Sequence, residues 1–146
     1  MTESQTQDAL LQRLEEVHRQ LQRRLITRWN AESPMMLTRP QANLLLHMED
    51  RGPLSMSALT EFLGVTSGAA TFMCDKLVEK GLIERARQAG DRRVVSLQLT
   101  GEGLRTTAAI RELKRTFGAR LFDGVTEEEL SAVDRVFRTA LQNLTK

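Results

Sequence analysis

The segment from Ser55 to Gly81 constrains the fold of this chain more than any other part of the sequence. Ser55 is a favourable helix N-cap, and apolar residues recur after it at helical spacing until Gly64 ends the helix. A second helix is predicted from Ser67 to Lys80, with Gly81 in a left-handed conformation after it. Two short helices joined by a tight, glycine-containing turn predict a helix-turn-helix, although many other helical hairpins share this pattern.

The residues that follow these two helices predict a β-hairpin. An extended segment begins at Leu82–Arg85, and Val95, Leu97 and Leu99 alternate with polar neighbours, as in a half-buried strand. The residues between the two segments, 86–93, are polar and include a glycine. A charged hairpin directly after a helix-turn-helix predicts a winged helix.

Long helices with apolar stripes are predicted on both sides of this unit. The N-terminal stripe ends at Trp29, before a break at Glu32–Pro34, and Thr38 with Pro40 then caps a short helix. Another long helix follows Thr100-Gly101, and Thr126 with Glu129 forms a capping box for a last one. Because a chain of 146 residues offers one domain's worth of core, we expect a second copy to cover the stripes. The predicted dimer interface comprises Leu10, Leu14, Val17, Leu21, Phe137, Leu141 and Leu144.

The predicted fold is therefore mainly α with a small β-hairpin wing. It is a winged helix-turn-helix, residues 37–100, flanked by dimerisation helices within residues 9–30 and 101–146. All 146 residues form one domain in this prediction.

Composition excludes several classes of protein. The single cysteine, Cys74, rules out an internal disulfide, and two histidines without a second cysteine leave no conventional zinc cluster. No apolar run approaches the roughly 20 residues of a membrane helix, and the polar start, Met1–Asp8, lacks a signal-peptide core. No phosphate-binding glycine loop, nucleophile elbow or cluster of histidines with carboxylates is present. We expect a cytoplasmic protein that is not an enzyme, with no cofactor, metal or membrane partner.

Three motifs carry a resemblance to a known family. They are LTRPQ at 37–41, LSMSALTEFLGVTSGAATFMCDKLVEKGLIER at 54–85 and DRRVVSLQLTGEG at 91–103. In order and spacing they resemble the MarR (multiple antibiotic resistance regulator) family of bacterial and archaeal transcription regulators. The resemblance implies a homodimer that binds double-stranded DNA at a pseudo-palindromic operator, usually as a repressor released by a ligand or oxidant.

The helix that begins at Ser67 would enter the major groove of DNA. Helical spacing predicts that Ala70, Met73, Cys74 and Leu77 face inward. Small residues at the helix entrance permit close approach, and backbone N–H groups there suit a phosphate. The predicted DNA-binding residues of this helix are Ser67, Gly68, Ala69, Thr71, Phe72 and Lys76.

Phe72 departs from many relatives, in which an arginine or polar residue is common. No arginine lies between Thr66 and Asp75, so this helix cannot form bidentate arginine–guanine contacts. Contact of Phe72 or Ala69 with thymine methyl groups predicts a preference for A·T pairs. The alternative is that Phe72 packs on its neighbours and touches no base.

The predicted wing concentrates positive charge. Residues 85–93 hold four arginines and one aspartate, a local charge of +3, in a chain whose net charge is only +2. Many charge clusters are simply solvated, but a wing beside a recognition helix faces the minor groove and phosphates. The resemblance implies that Arg92 or Arg93 enters the groove, while Asp91 or Asp75 holds the other guanidinium.

Several weaker signals leave alternatives open. Cys74 on the inward side of its helix favours an inert core residue over a redox sensor. Relatives bind anionic aromatic effectors between the dimer helices and the winged helix, and the candidate pocket residues here are Trp29, Met36, His47 and Phe117. His18 and His47 are each candidates for such a pocket, and the alternative for each is an ordinary surface or core histidine. The competing function is a winged helix that binds protein instead of DNA, which would not need an arginine-rich wing.

Overall fold

The computed structural model describes residues 1–88 and 91–146, and the side chains of residues 1–87 and 95–146. Within these ranges the chain forms helices, a short 3₁₀ turn at Pro34–Met36 and one small sheet. In chain order the elements are α1 (Glu3–Glu32), α2 (Arg39–Arg51), β1 (Leu54–Ser55), α3 (Met56–Leu63), α4 (Ser67–Glu79), β2 (Ile83–Gln88), β3 (Asp91–Leu99), α5 (Gly101–Leu121) and α6 (Glu127–Leu144). The chain divides into two compact units, residues 1–113 and residues 114–146.

Helix α1 is longer at its N-terminus than the predicted segment 9–30. Thr2 and Gln5 form a capping box there, in which the side chain of each residue bonds the backbone N–H of the other. Ser33 ends the helix, and its N–H donates to the carbonyl of Trp29 at 2.8 Å. Trp29, where the predicted stripe ends, is the buried residue of this helix. The stripe residues Leu10, Leu14, Val17 and Leu21 are exposed within one copy of the chain.

The helix-turn-helix is confirmed as predicted. The Ser55 hydroxyl accepts the N–H of Ala58 at 3.1 Å at the start of α3, and Gly64 ends α3 in the left-handed conformation. Helix α4 begins after Thr66, and Gly81 beyond its end has a φ of +75°. Both glycines stand where the chain must take a positive φ, which side chains with a Cβ disfavour.

The hairpin is confirmed, and the structure adds a third strand. The strand order is β1-β3-β2 and both pairings are antiparallel, with Leu97 opposite both Leu54 and Arg85. Strand β1 was not predicted because two residues are too few for an alternating pattern. The predicted half-buried face of β3 holds for Leu97 and Leu99 but is wrong for Val95, which is 39% exposed. Val95 pairs with Arg87, beside the register shift that follows in β2.

A single core lies within residues 1–113. Its buried residues come from every helix of that unit and from the sheet, and they include Leu37, Leu45, Leu59, Leu77 and Ile110. This core fixes α4 to β2 and β3, and therefore sets the position of the predicted recognition helix.

The unit of residues 114–146 contains the end of α5 and all of α6. Thr126 and Glu129 form the predicted capping box at the start of α6. The apolar stripe of α6 is exposed throughout, at Leu130, Val133, Phe137, Leu141 and Leu144.

The described residues contain no helix long and apolar enough to cross a membrane. In the same part of the chain, no group of three or more histidine, cysteine, aspartate or glutamate residues is placed to hold a metal ion.

Candidate nucleic-acid interface

Helix α4 separates its residues into a buried and an exposed side, as predicted. Ala70, Cys74 and Leu77 are fully buried and Met73 is half-buried. The exposed side comprises the six predicted DNA-binding residues, Ser67, Gly68, Ala69, Thr71, Phe72 and Lys76, together with Asp75. These side chains are therefore free to approach another molecule while the helix stays anchored in the core.

The first turn of α4 combines a capped helix end with hydroxyl groups. The Thr66 hydroxyl accepts the N–H of Ala69 at 3.2 Å, and the Thr71 hydroxyl donates to the carbonyl of Ser67 at 2.8 Å. Because this bond uses the Thr71 hydroxyl proton, the oxygen of Thr71 faces a partner as an acceptor. Amino groups of adenine and cytosine in the major groove are donors of the matching kind.

An open groove of about 600 Å³ lies between α3 and the first half of α4. The hydroxyl-bearing residues Ser57, Thr60, Ser67 and Thr71 line it, as does Glu61. This groove is not predictable from the sequence, because its lining comes from two helices that only the tertiary fold brings together. The groove opens at the N-terminal end of α4, where the helix dipole favours an anion such as a backbone phosphate and the Glu61 carboxylate opposes one.

Phe72 is the most exposed large apolar residue of α4, with 65% of its surface accessible. The Lys76 ammonium group lies 5.4 Å from the centre of its ring and 3.5 Å from the Glu79 carboxylate. The ring and the cation next to it form an amphipathic patch that matches a thymine methyl group beside a phosphate.

Asp75 joins α4 to the first strand of the hairpin. Its Oδ1 atom lies 2.5 Å from Nη2 of Arg85 in β2, and the hydrogen bond raises the pKa of Arg85. Arg85 also places Nη2 3.9 Å from the Sγ atom of Cys74. From the sequence, Asp75 is predicted to hold Arg92 or Arg93 of the wing, whereas among the described side chains its partner is Arg85 at the base of the wing, which was missed. The side chains of Asp91, Arg92 and Arg93 lie outside the described ones.

The signal for this pair is present in the sequence but weak. Asp75 and Arg85 stand ten residues apart, on either side of the turn from α4 to β2. Such spacing becomes informative only once the turn at Gly81 is known to fold the strand back along the helix.

Cys74 is fully buried, as predicted for a core residue. Burial raises the pKa of its thiol, the Arg85 guanidinium opposes that shift, and Asp75 adds to it. The neutral thiol is therefore the favoured form in the folded protein, which lowers its nucleophilicity.

Three of the predicted ligand-pocket residues occupy different environments in the unit 1–113. Trp29 is buried, and its indole N–H donates to the Leu37 carbonyl at 2.9 Å. Met36 is 85% exposed, and His47 stacks on Phe62 with ring centres 3.9 Å apart.

The remaining candidates for a pocket or surface role are Phe117 and His18. Phe117 belongs to the unit 114–146, where the Arg120 guanidinium lies 5.9 Å from its ring centre. His18 is exposed on α1, 3.2 Å from the amide nitrogen of Gln22. The effector pocket stays a prediction.

Comparison with known proteins supports the assignment made from the motifs. The model of the MarR family matches residues 37–95. The HTH-type transcriptional repressor MdtR of Bacillus subtilis is 34% identical over 94 residues, which are 64% of this chain. The match spans 61% of the length of MdtR, less than two thirds.

Two solved structures show the same fold. A mutant of MarR from E. coli complexed with operator DNA has a TM-score of 0.76 at 24% identity, covering 88% of this chain and 93% of that one. FabT of Streptococcus pneumoniae in complex with DNA has a TM-score of 0.78 at 24% identity, covering 92% of this chain and 97% of that one. The family model, the curated relative and the shared winged-helix fold therefore show that this chain is similar to proteins of the MarR family, with the family model matching residues 37–95.

Proposed function

We propose that this protein is a sequence-specific DNA-binding transcriptional regulator: a homodimeric, cytoplasmic repressor of a pseudo-palindromic operator, relieved by a small anionic or aromatic effector. The observation that carries the proposal is the exposed face of α4, tied to the hairpin by the Asp75–Arg85 pair. A recognition helix and a wing that are held together can contact two grooves of one duplex at once.

The proposed contacts follow the chemistry of each residue. Small residues at Ser67, Gly68 and Ala69 allow the start of α4 to approach the duplex closely. Thr71 and Phe72 contact base edges in the major groove. Lys76, Arg92 and Arg93 contact phosphates or the minor groove. Asp75 and Asp91 orient the arginines of the wing.

Dimerisation is proposed from the two apolar stripes. In one copy of the chain Leu14 is 64% exposed and Leu141 is 65% exposed, and neighbours of both along their helices are exposed as well. Contiguous apolar surface of this kind marks an interaction site. We propose that all 146 residues act as one domain whose helical ends, within residues 9–30 and 101–146, pair with a second copy.

The relatives support a regulator and no catalytic activity. MdtR is described as a transcriptional repressor, and the structures of MarR and FabT contain operator DNA and DNA respectively. A winged helix that binds protein instead of DNA is the competing function.

Binding to the DNA upstream of the protein's own gene, measured across salt concentrations, separates the two functions. A DNA-binding regulator shifts this fragment, and the logarithm of its affinity falls linearly with the logarithm of salt. Arg92→Ala and Arg93→Ala are expected to weaken binding to all sequences and to flatten that slope by about one unit per lost phosphate contact. A protein that shifts no fragment from its genome would support the protein-binding alternative.

A further inference from the structure

The segment between α1 and α2 contains two adjacent residues in the left-handed backbone region. Met35 has φ 54° and ψ 25°, and Met36 has φ 57°. Neither is glycine, asparagine or aspartate, the residues that adopt this region most readily. Strained conformations of this kind persist only where surrounding contacts hold them.

Contacts from three elements hold this segment, residues 34–37, which we call the connector. The Leu37 carbonyl accepts two hydrogen bonds from the α1 end, from the Trp29 indole at 2.9 Å and the Ser33 hydroxyl at 2.6 Å. The Met35 sulfur accepts a hydrogen bond from the Thr106 hydroxyl of α5 at 3.8 Å.

The third element that contacts the connector is the candidate recognition helix, α4, at its C-terminal end. Lys80 is the C-cap residue of α4, and its ammonium group donates to the Met35 carbonyl at 2.8 Å across 45 residues of sequence. The direction of that carbonyl depends on the left-handed backbone at Met35 and Met36. A relaxed, right-handed connector would turn the carbonyl away from Lys80.

We propose that the connector is a strained coupling element between α1 and α4: its left-handed conformation holds the C-terminal end of α4 in place through Lys80, and its relaxation releases that end. Coupling between distant parts of a protein requires an element with two arrangements that both sides can bias. The strained connector of the structure is one arrangement, a relaxed connector is the other, and the Lys80 contact links the connector to α4. That relaxation of the connector weakens binding to DNA rests on the proposed function. The coupling between α1 and α4 within the protein does not.

Two substitutions at Met36 separate backbone strain from loss of a side chain. The Met36 side chain is 85% exposed, so its removal costs few contacts. Met36→Gly accepts a positive φ without strain, whereas Met36→Val disfavours it because the side chain is β-branched. Lys80→Met removes the contact itself, and Lys146→Met at the chain end is the control for loss of one charge.

Hydrogen exchange in the free protein reports the outcome without any need for DNA. The amides of Lys80, Gly81 and Leu82 bond to carbonyls near the end of α4, and the Ala70 amide at its start is the internal reference. We expect Met36→Val and Lys80→Met each to accelerate exchange at the three C-terminal amides about tenfold relative to Ala70, within the usual range of coupling. Met36→Gly and Lys146→Met should leave this ratio unchanged, and the double variant Met36→Val, Lys80→Met should add nothing to either change alone.

Equal exchange ratios in the valine and glycine variants, or full additivity in the double variant, would overturn the coupling. Operator binding then tests its consequence: Met36→Val should bind about tenfold more weakly than Met36→Gly. If the wild-type protein binds no operator, the proposed function fails, and the exchange ratios still decide whether the connector couples α1 to α4.

Discussion

Asp75 Oδ1 and Arg85 Nη2, 2.5 Å apart, connect the exposed face of α4 with the first strand of the wing. Both side chains are about half exposed, at 58% and 45%. A pair so accessible to water contributes at most about 1 kcal/mol to folding. We therefore assign the pair a positioning role: it sets the angle between the helix and the hairpin.

This role makes an unusual prediction for Asp75→Asn. Removing a negative charge from a DNA-facing surface would strengthen binding by simple electrostatics. A positioning role predicts the opposite, a loss of about tenfold in operator affinity with unfolding free energy changed by less than about 1 kcal/mol. Fluorescence anisotropy with operator DNA and urea unfolding measure the two quantities.

Arg85→Gln completes a double-mutant cycle with Asp75→Asn. If the two residues act as a pair, the double variant binds DNA no more weakly than Arg85→Gln alone. Additive losses, or tighter binding by Asp75→Asn, would show that the pair does not position the wing.

Phe72→Ala tests the proposed apolar contact with thymine. Because the ring is 65% exposed, we expect a change in unfolding free energy of no more than about 0.5 kcal/mol. The preference for A·T pairs at the contacted positions should fall in a selection from random duplexes, and Phe72→Leu should keep most of it. If Phe72→Ala selects the same sequences as the wild type, Phe72 contacts no base.

Dimerisation is tested by placing a charge within each stripe. Leu14→Asp and Leu141→Asp are expected to shift the protein from dimer to monomer in sedimentation velocity, because burial of an unpaired carboxylate in the interface costs much free energy. Gln12→Asp, on α1 outside the stripe, adds the same charge and should leave the dimer intact.

A second measurement covers the case in which the monomer does not fold. Dimerisation coupled to folding makes the Tm of the wild type rise with protein concentration. A Tm that does not depend on protein concentration, together with a monomeric wild type, would show that the protein does not form a homodimer.

Cys74 should behave as a buried neutral thiol. Since burial raises its pKa in the folded state, the thiol stays protonated at a pH where that of the unfolded chain ionises. Its contribution to stability is therefore complete below the unfolded pKa and is lost as pH rises through the folded pKa. Urea unfolding across alkaline pH should show this loss, and Cys74→Ala should lack it.

A thiol reagent distinguishes the core residue from a redox sensor. At pH 8 the folded protein should react slowly, and the protein unfolded in guanidinium should react at once. Rapid reaction of the folded protein would favour the sensor.

Local signals predicted the helices well. Thr38, Ser55 and Thr126 cap helices as expected, and Gly64 and Gly81 adopt the positive φ that ends them. Each of these features depends on a few neighbouring residues, which is why the sequence alone reveals it.

Features that depend on distant residues were not predictable in the same way. The Asp75–Arg85 pair and the stacking of His47 on Phe62 each join elements that only the tertiary fold brings together. The left-handed backbone at Met35 and Met36 has no residue-type signal at all, since methionine has no preference for it. The candidate site was therefore predictable as a helix face, while its attachment to the wing and to α1 was not.

The most direct test of the central claim is recovery of the operator from the organism's own genome, followed by a footprint on the recovered fragment. We expect the protein to retain a discrete fragment and to protect two symmetric half-sites about one helical turn apart, or a multiple of it. Retention of no fragment, or protection of a single half-site by a monomer, would contradict this expectation.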